Sequence, residues 1–320
     1  MTVLIEAVGL HKRFGDINAV DGISLKVAKG EVLGFLGPNG AGKSTTMKML
    51  TGFLEPDAGL ASICGINVFQ EPKAAKSKFG YVPEGAPSYG EMTTRAFLSF
   101  IAEIRGFRGA DIASRVARAV ERAGLEPVLD QVIDTLSKGY KRRVGLAQAI
   151  LHDPPVLVMD EPTDGLDPNQ KHHVRQLITD MAADKAIIIS THILEEVEAV
   201  CSRAVVINKG AIVADGTADD LLQRMHYHGA VSLKVIADRA EAAIRALTDA
   251  PVVASVETVG KPNGHLLLRA IPRQKTMTAT EIAAVLRAQN IPVDELYVER
   301  GRLDDVFRQI TMSEEGNNNA

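Results

Sequence analysis

The stretch GPNGAGKST, Gly37 to Thr45, limits what this chain can fold into more than any other. It fits G-x-x-x-x-G-K-[ST], whose glycines let successive backbone N–H groups converge on phosphate oxygens. The pattern carries that meaning only between a buried strand and a helix. Here "EVLGFLG" precedes it as a short apolar run, and a helical run begins at its end. Gly37, Pro38, Asn39, Gly40, Ala41 and Gly42 are expected to shape the turn. Lys43 is expected to reach the β- and γ-phosphates, Ser44 to bind Mg²⁺ through its hydroxyl, and Thr45 to add contacts at the helix start.

Two further segments complete a site of this kind. "VLVMDEP" reads as a buried strand ending in two carboxylates. Asp160 suits a water-bridged Mg²⁺, and Glu161 is placed to polarise an attacking water. "KAIIIST" is another buried strand, and His192 follows it where a γ-phosphate contact is expected. Lys43, Glu161 and His192 are therefore the expected catalytic set.

Around these motifs strands and helices alternate, which argues for a largely parallel sheet covered by helices. Short strands fill residues 3–36, and 61–82 reads as strand-like material ending in "FGYVP". From about Gly85 to Leu136 the pattern is helical. Phe97, Phe100, Ile101 and Ile104 fall at i, i+3, i+4 and i+7 on one face, and Ile112, Val116 and Val120 recur every four. Arg115, Arg118 and Arg122 are read as a solvated face. A helix is expected at about 168–183, another over "ILEEVEAVCS", then two strands around Asn208-Lys209-Gly210.

Beyond "LLQRMHYHGA" the order becomes strand, helix, strand, strand, helix, strand, the ferredoxin-like βαββαβ pattern. His226 and His228, and the pair His172-His173, are read as solvated rather than metal-binding. The tail 313–320, "SEEGNNNA", is expected to be disordered.

The chain has 320 residues, room for one domain of about 200–250 residues and a smaller one. Its net charge of −4 supplies no global field for nucleic acid or anionic lipid, so no nucleic-acid partner is expected. Cys64 and Cys201 have no metal-like spacing and read as reduced thiols. The N-terminal segment is too interrupted by charge for a signal peptide, and no window reaches the roughly 18 uncharged apolar residues of a membrane span. A membrane partner would have to supply the spanning part.

The ordered set "GPNGAGKST", "LSKGY", "VLVMDEP", "DGLDP" and "STH" resembles the ATP-binding cassette (ABC) ATPase family over about residues 3–220. The resemblance implies an α/β P-loop ABC ATPase core with an inserted helical subdomain, plus the small C-terminal domain. The implied limits are 1–225 for the ATPase domain, with its helical subdomain at about 85–145, and 226–312 for the C-terminal domain. The ligands it implies are ATP and Mg²⁺. Phe14 matches the aromatic that stacks on adenine, and Val20 lies near the base. Glu84 stands where the family usually has a glutamine linking Mg²⁺ and the γ-phosphate to the membrane partner. Asp167 matches a loop that communicates across a dimer. Ser137, Lys138 and Gly139 stand at the positions of the signature, usually L-S-G-G-Q, that faces the γ-phosphate of a second copy. Lys138 and Tyr140 depart from it.

Ser137 is also a good helix N-cap, and Lys141, Arg142 and Arg143 read as a solvated helix face. Within the family the chain looks most like ATPase subunits of bacterial export systems, of the gliding-motility-associated and multidrug-export branch. The implied partners are a second copy, head to tail, and an integral-membrane permease, which places the chain peripherally on the cytoplasmic face of the inner membrane. An importer ATPase, a soluble ABC ATPase acting on DNA or ribosomes, and a P-loop kinase or GTPase are the alternatives.

Overall fold

A computed structural model of the chain describes residues 2–85, 89–262, 264–273, 278–299 and 301–312, with backbone alone at 310–312. It divides into two compact units, Met1–Thr217 and Ala218–Ala320. The tail 313–320 lies outside the described residues.

The first unit opens with β1 (Val3–Phe14) and β2 (Ile17–Ala28), an antiparallel pair, then β3 (Val32–Leu36) and α1 (Lys43–Leu50). β4 (Ala58–Ile63) and β5 (Ile66–Asn67) complete an antiparallel sheet of order β2-β1-β4-β5. The strand-like reading of 61–82 is corrected here. A short helix, α2 (Pro72–Lys76), interrupts it before β6 (Phe79–Val82). Pro72 at the first helical position presets φ, and Lys-Ala-Ala-Lys continues the turn.

The helical segment contains α3 (Thr94–Ile104), α4 (Ala110–Ala123) and two 3₁₀ turns, then α5 (Lys138–Ile150). Thr93 caps α3 by accepting from Ala96 N, and Gly124 ends α4 in the left-handed conformation. Of the expected apolar face of α3, Phe97 and Ile101 are buried, whereas Ile104 is 63% exposed. Arg115 is also partly buried: it pairs with Asp111 at 3.1 Å and stacks 3.8 Å above the Phe107 ring.

β7 (Val156–Asp160), α6 (Pro168–Ala182), β8 (Ala186–Thr191), α7 (Leu194–Val200), β9 (Arg203–Asn208) and β10 (Ala211–Gly216) follow. The turn between β9 and β10 has positive φ at Lys209 and Gly210, the geometry that suits a tight hairpin. The main sheet has the order β10-β9-β3-β8-β7-β6, parallel except for β10. Its central strands are buried on both faces, and alternate residues serve two cores. Val156, Val158 and Ile188 join the core formed with α1 and the antiparallel sheet, while Leu157, Met159, Ile187 and Ile189 join the helical core.

The second unit holds α8 (Ala218–Leu222), β11 (Val231–Ile236), α9 (Ala237–Thr248), β12 (Val253–Gly260), β13 (His265–Pro272), α10 (Ala279–Ala288), β14 (Glu295–Val298) and α11 (Leu303–Met312). Its sheet is antiparallel, in the order β12-β13-β11-β14. Val231, Leu233, Val235 and Leu268 pack with Ala243, Leu247, Ile282 and Leu286 of the two helices as a separate core. A capping box between Thr278 and Glu281 starts α10. His226 lies 3.4 Å from Glu257 and stays well exposed, whereas Tyr227 between the two histidines is buried and donates to Asp305 at 2.7 Å.

Candidate nucleotide site

The phosphate loop joins the end of β3 to the start of α1. Gly42 caps α1 at φ 103°, a conformation that favours glycine, and a Cβ there would sit 2.2 Å from the Ala19 carbonyl oxygen. A Cβ on Gly37 would meet the Ile207 carbonyl oxygen at 2.6 Å, so β2 and β9 press the loop from both sides. Lys43 is 7% exposed and donates to Gly37 O at 2.7 Å and Pro38 O at 3.2 Å. Burial pushes its ammonium below the usual lysine range, while Glu161, Asp160 and Glu84 push it back up. The first turn of α1 carries no acidic residue, so its free N–H groups and dipole favour an anion. These features fit a polyphosphate. Ser44 and Thr45 are half-buried at the helix start, and Asn39 and Gly40 are exposed on the loop.

Asp160 ends β7 and is buried, and its Oδ1 has no hydrogen-bond partner among the described residues. A buried carboxylate oxygen left this way suits a cation shared with phosphate and water, which is how Mg²⁺ is commonly held. Among the described residues no cluster of three or more His, Cys, Asp or Glu forms an all-protein metal site. Glu161 follows at φ 50°, left-handed backbone costing about 1–2 kcal/mol for a residue with a Cβ. Its N–H donates to Ser190 O at 2.9 Å. His192 Nδ1 donates to Glu161 Oε1 at 2.9 Å, which leaves Nε2 for another partner. The Thr191 hydroxyl donates to Glu196 Oε2 at 2.9 Å and accepts from Ile193 N at 3.1 Å, folding the loop that presents His192.

Glu84 is exposed beyond β6. Its carboxylate and that of Asp160 reinforce burial in pushing the Tyr81 hydroxyl up to about 12. Phe14 is 48% exposed at the end of β1, with Lys12 Nζ 5.8 Å from its ring centroid, and Val20 is buried beside the loop. Lys43, Asp160, Glu161, Glu84 and His192 are therefore brought to one sheet edge.

The signature stretch meets a different neighbour. Ser137 caps α5, its Oγ accepting from Tyr140 N at 3.3 Å. A Cβ on Gly139 would sit 2.1 Å from Gln170 Oε1, and one on Gly165 would lie 3.9 Å from Lys138 Cδ. Asp167 caps α6 by accepting from Gln170 N at 2.9 Å. The start of α5 thus packs on the start of α6. The reading of Arg142 as solvated is overturned: it is 7% exposed, on the inner stripe of α5 with Gly139 and Leu146. Arg143 is also half-buried, donating to Gly124 O at 2.9 Å and stacking on Tyr140. Sequence reasoning missed Arg142 and Gln170. The available signal for Arg142 was its i+3 spacing from Gly139 and its i−4 spacing from Leu146.

Beside α3 and β6 lies a groove of about 1100 Å³. Phe53, Tyr89, Ile101 and Ile104 line it, as do the cationic Lys48, Lys73, Lys76 and Arg105. No carboxylate lines it among the described residues.

A phosphate loop, an acidic strand end and a histidine on neighbouring parallel strands define a nucleotide-hydrolysing P-loop domain. Comparison with known proteins narrows the class. The family described as "ABC transporter" matches residues 20–164. The chain is 32% identical over 311 residues to the linearmycin resistance ATP-binding protein LnrL of Bacillus subtilis, covering 96% of this chain and 98% of that one. It is 37% identical over 261 residues to a Nod factor export ATP-binding protein I of Ralstonia nicotianae, covering 81% and 80% respectively. A solved ATP-binding subunit of an ABC transporter superposes with a TM-score of 0.64 at 33% identity, over 69% of this chain and 92% of that one. The chain belongs to the ABC transporter family, as an ATP-binding subunit whose ATP hydrolysis drives transport.

Proposed function

We propose that this subunit powers export through a separately encoded membrane permease, as a head-to-tail dimer on the cytoplasmic face of the inner membrane. The observation that carries the mechanism is the Glu161–His192 contact at the end of the carboxylate strand, beside the buried Lys43. The loop N–H groups of 37–45 and Lys43 hold the phosphates. Bound Mg²⁺ would be held by Ser44 and, through water, by Asp160 and Glu84, and would neutralise phosphate charge. Glu161 accepts the proton of the attacking water. His192 fixes the Glu161 carboxylate through Nδ1 and offers Nε2 towards the γ-phosphate. Phe14 stacks on the adenine, with Val20 beside it.

The head-to-tail arrangement is supported by Ser137–Gly139, whose neighbours are Gln170 and Gly165 of the same chain. That leaves this helix start to serve the ATP of the second copy, with Lys138 and the Asp167 loop at the same seam. Export is supported by the relatives named for Nod factor export and for linearmycin resistance. The groove beside α3 suits an apolar permease segment with acidic flanks. Among the described residues no helix is long and apolar enough to cross a membrane. We take 1–225 as the ATPase domain, with 85–145 as its helical subdomain, and 226–312 as a ferredoxin-like domain. The βαββαβ order and the strand order β12-β13-β11-β14 support the last of these.

Glu161→Gln tests the reading. Hydrolysis should fall by about 10²–10⁴-fold with ATP affinity kept, and ATP should trap a dimer on size exclusion. Hydrolysis at the wild-type rate would remove Glu161 from the role.

A further inference from the structure

Arg142 lies outside the catalytic set, yet its guanidinium holds two loops of the site at once. Nη1 donates to Pro83 O at 2.9 Å and Gly85 O at 3.2 Å, on either side of Glu84. Nη2 donates to Asp160 O at 2.7 Å and to Glu161 O. One planar fork thus takes four backbone carbonyls from the ends of β6 and β7, a span a lysine ammonium cannot reproduce. Burial lowers the Arg142 pKa, and the Asp164, Asp160, Glu161 and Glu84 carboxylates around it raise it. A guanidinium stays charged under such opposing pulls.

Its second feature is the state of the residue it grips. Glu161 sits at positive φ: its N–H is held by Ser190 O, and its carbonyl accepts from Arg142 and, at 3.2 Å, from Asp164 N. Non-glycine residues keep such backbone only where their surroundings over-determine it. Without Arg142 only Ser190 O and Asp164 N hold the Glu161 backbone, so it is freer to relax towards negative φ and carry its carboxylate away from His192. Arg142 also belongs to α5, whose start carries Ser137 and Gly139. The helix that faces the second copy therefore carries the residue that shapes Glu161.

We infer that Arg142 is a positioning residue for hydrolysis: it locks the Glu84 loop to the Asp160–Glu161 turn and holds Glu161 in its productive backbone. The inference rests on the reading of Glu161 as the proton acceptor.

The test compares Arg142→Lys, Arg142→Gln and Glu161→Gln in the full-length chain, measuring kcat, KM for Mg·ATP, nucleotide affinity and melting temperature. Arg142→Lys should lower kcat at least about tenfold while KM and nucleotide affinity stay within about threefold. Arg142→Gln should do the same or worse. Three outcomes overturn the inference: wild-type kcat per folded molecule in Arg142→Lys, loss of nucleotide affinity in step with kcat, or failure of both Arg142 variants to fold, which would make Arg142 scaffolding. Glu161→Gln separates the two claims. If it hydrolyses ATP normally, the proton-acceptor reading fails. If it is inactive while Arg142→Lys is normal, only the Arg142 inference fails.

Discussion

Lys43 shows how a single residue can be costly alone and useful in complex. Its ammonium is buried, and its direct partners are the carbonyls of Gly37 and Pro38 rather than a carboxylate. Burying an ammonium with neutral partners costs several kcal/mol, as an order of magnitude. A phosphate arriving at the loop supplies a directly bonded opposite charge, which the Glu161, Asp160 and Glu84 carboxylates do not. Lys43→Ala should therefore leave the nucleotide-free protein at least as stable as wild type, while ATP affinity falls by about tenfold or more. Thermal melts with and without Mg·ATP separate the two effects, because the nucleotide-dependent rise should vanish. A lower melting point without nucleotide would show that Lys43 has a structural role as well.

At the scale of elements, close backbone approaches decide which glycines are fixed. A Cβ on Gly80 in β6 would sit 2.1 Å from the Ala149 carbonyl oxygen of α5. Neither backbone can yield without shifting the helix from the strand. Gly80→Ala should cost about 1–3 kcal/mol in chemical denaturation. Gly139→Ala makes an equally short contact, but with the end of the Gln170 side chain, which can swing aside. Its cost should stay within about 0.5 kcal/mol; equal losses in the two variants would refute the distinction.

The same contrast explains what was legible in the sequence. β7 and β8 could be read as buried strands because their apolar runs serve a core on each face. The phosphate loop, the carboxylate pair and His192 were legible because each follows such a strand. α2 was not, since five residues give too little periodicity to separate a helix from a turn. Ile104 was placed on the apolar face of its helix by spacing alone, and spacing does not say where a helix's packing partner ends. Arg142 was hidden because a buried arginine needs carbonyl acceptors from Pro83 to Glu161, a long-range arrangement that local pattern cannot show.

For the whole molecule, the proposed function makes the groove beside α3 the place to test for a permease contact. Phe53 and Ile104 are more than half exposed, and the charged side chains lining the groove are all cationic among the described residues. Ile104→Glu should abolish co-purification with the permease and leave basal ATP hydrolysis within about twofold, since it changes the apolar wall and not the site. Retained co-purification would move the docking surface elsewhere. The strand order β3-β8-β7 has its own consequence. Phosphate loop, histidine and carboxylates stand on three successive strands, so about 10 Å separates the outer two. That width is fixed by main-chain hydrogen bonding and is indifferent to side chains. The sheet acts as a ruler: substitutions can retune charge or reach along it, but the spacing of the three strands themselves changes only by inserting or losing a strand.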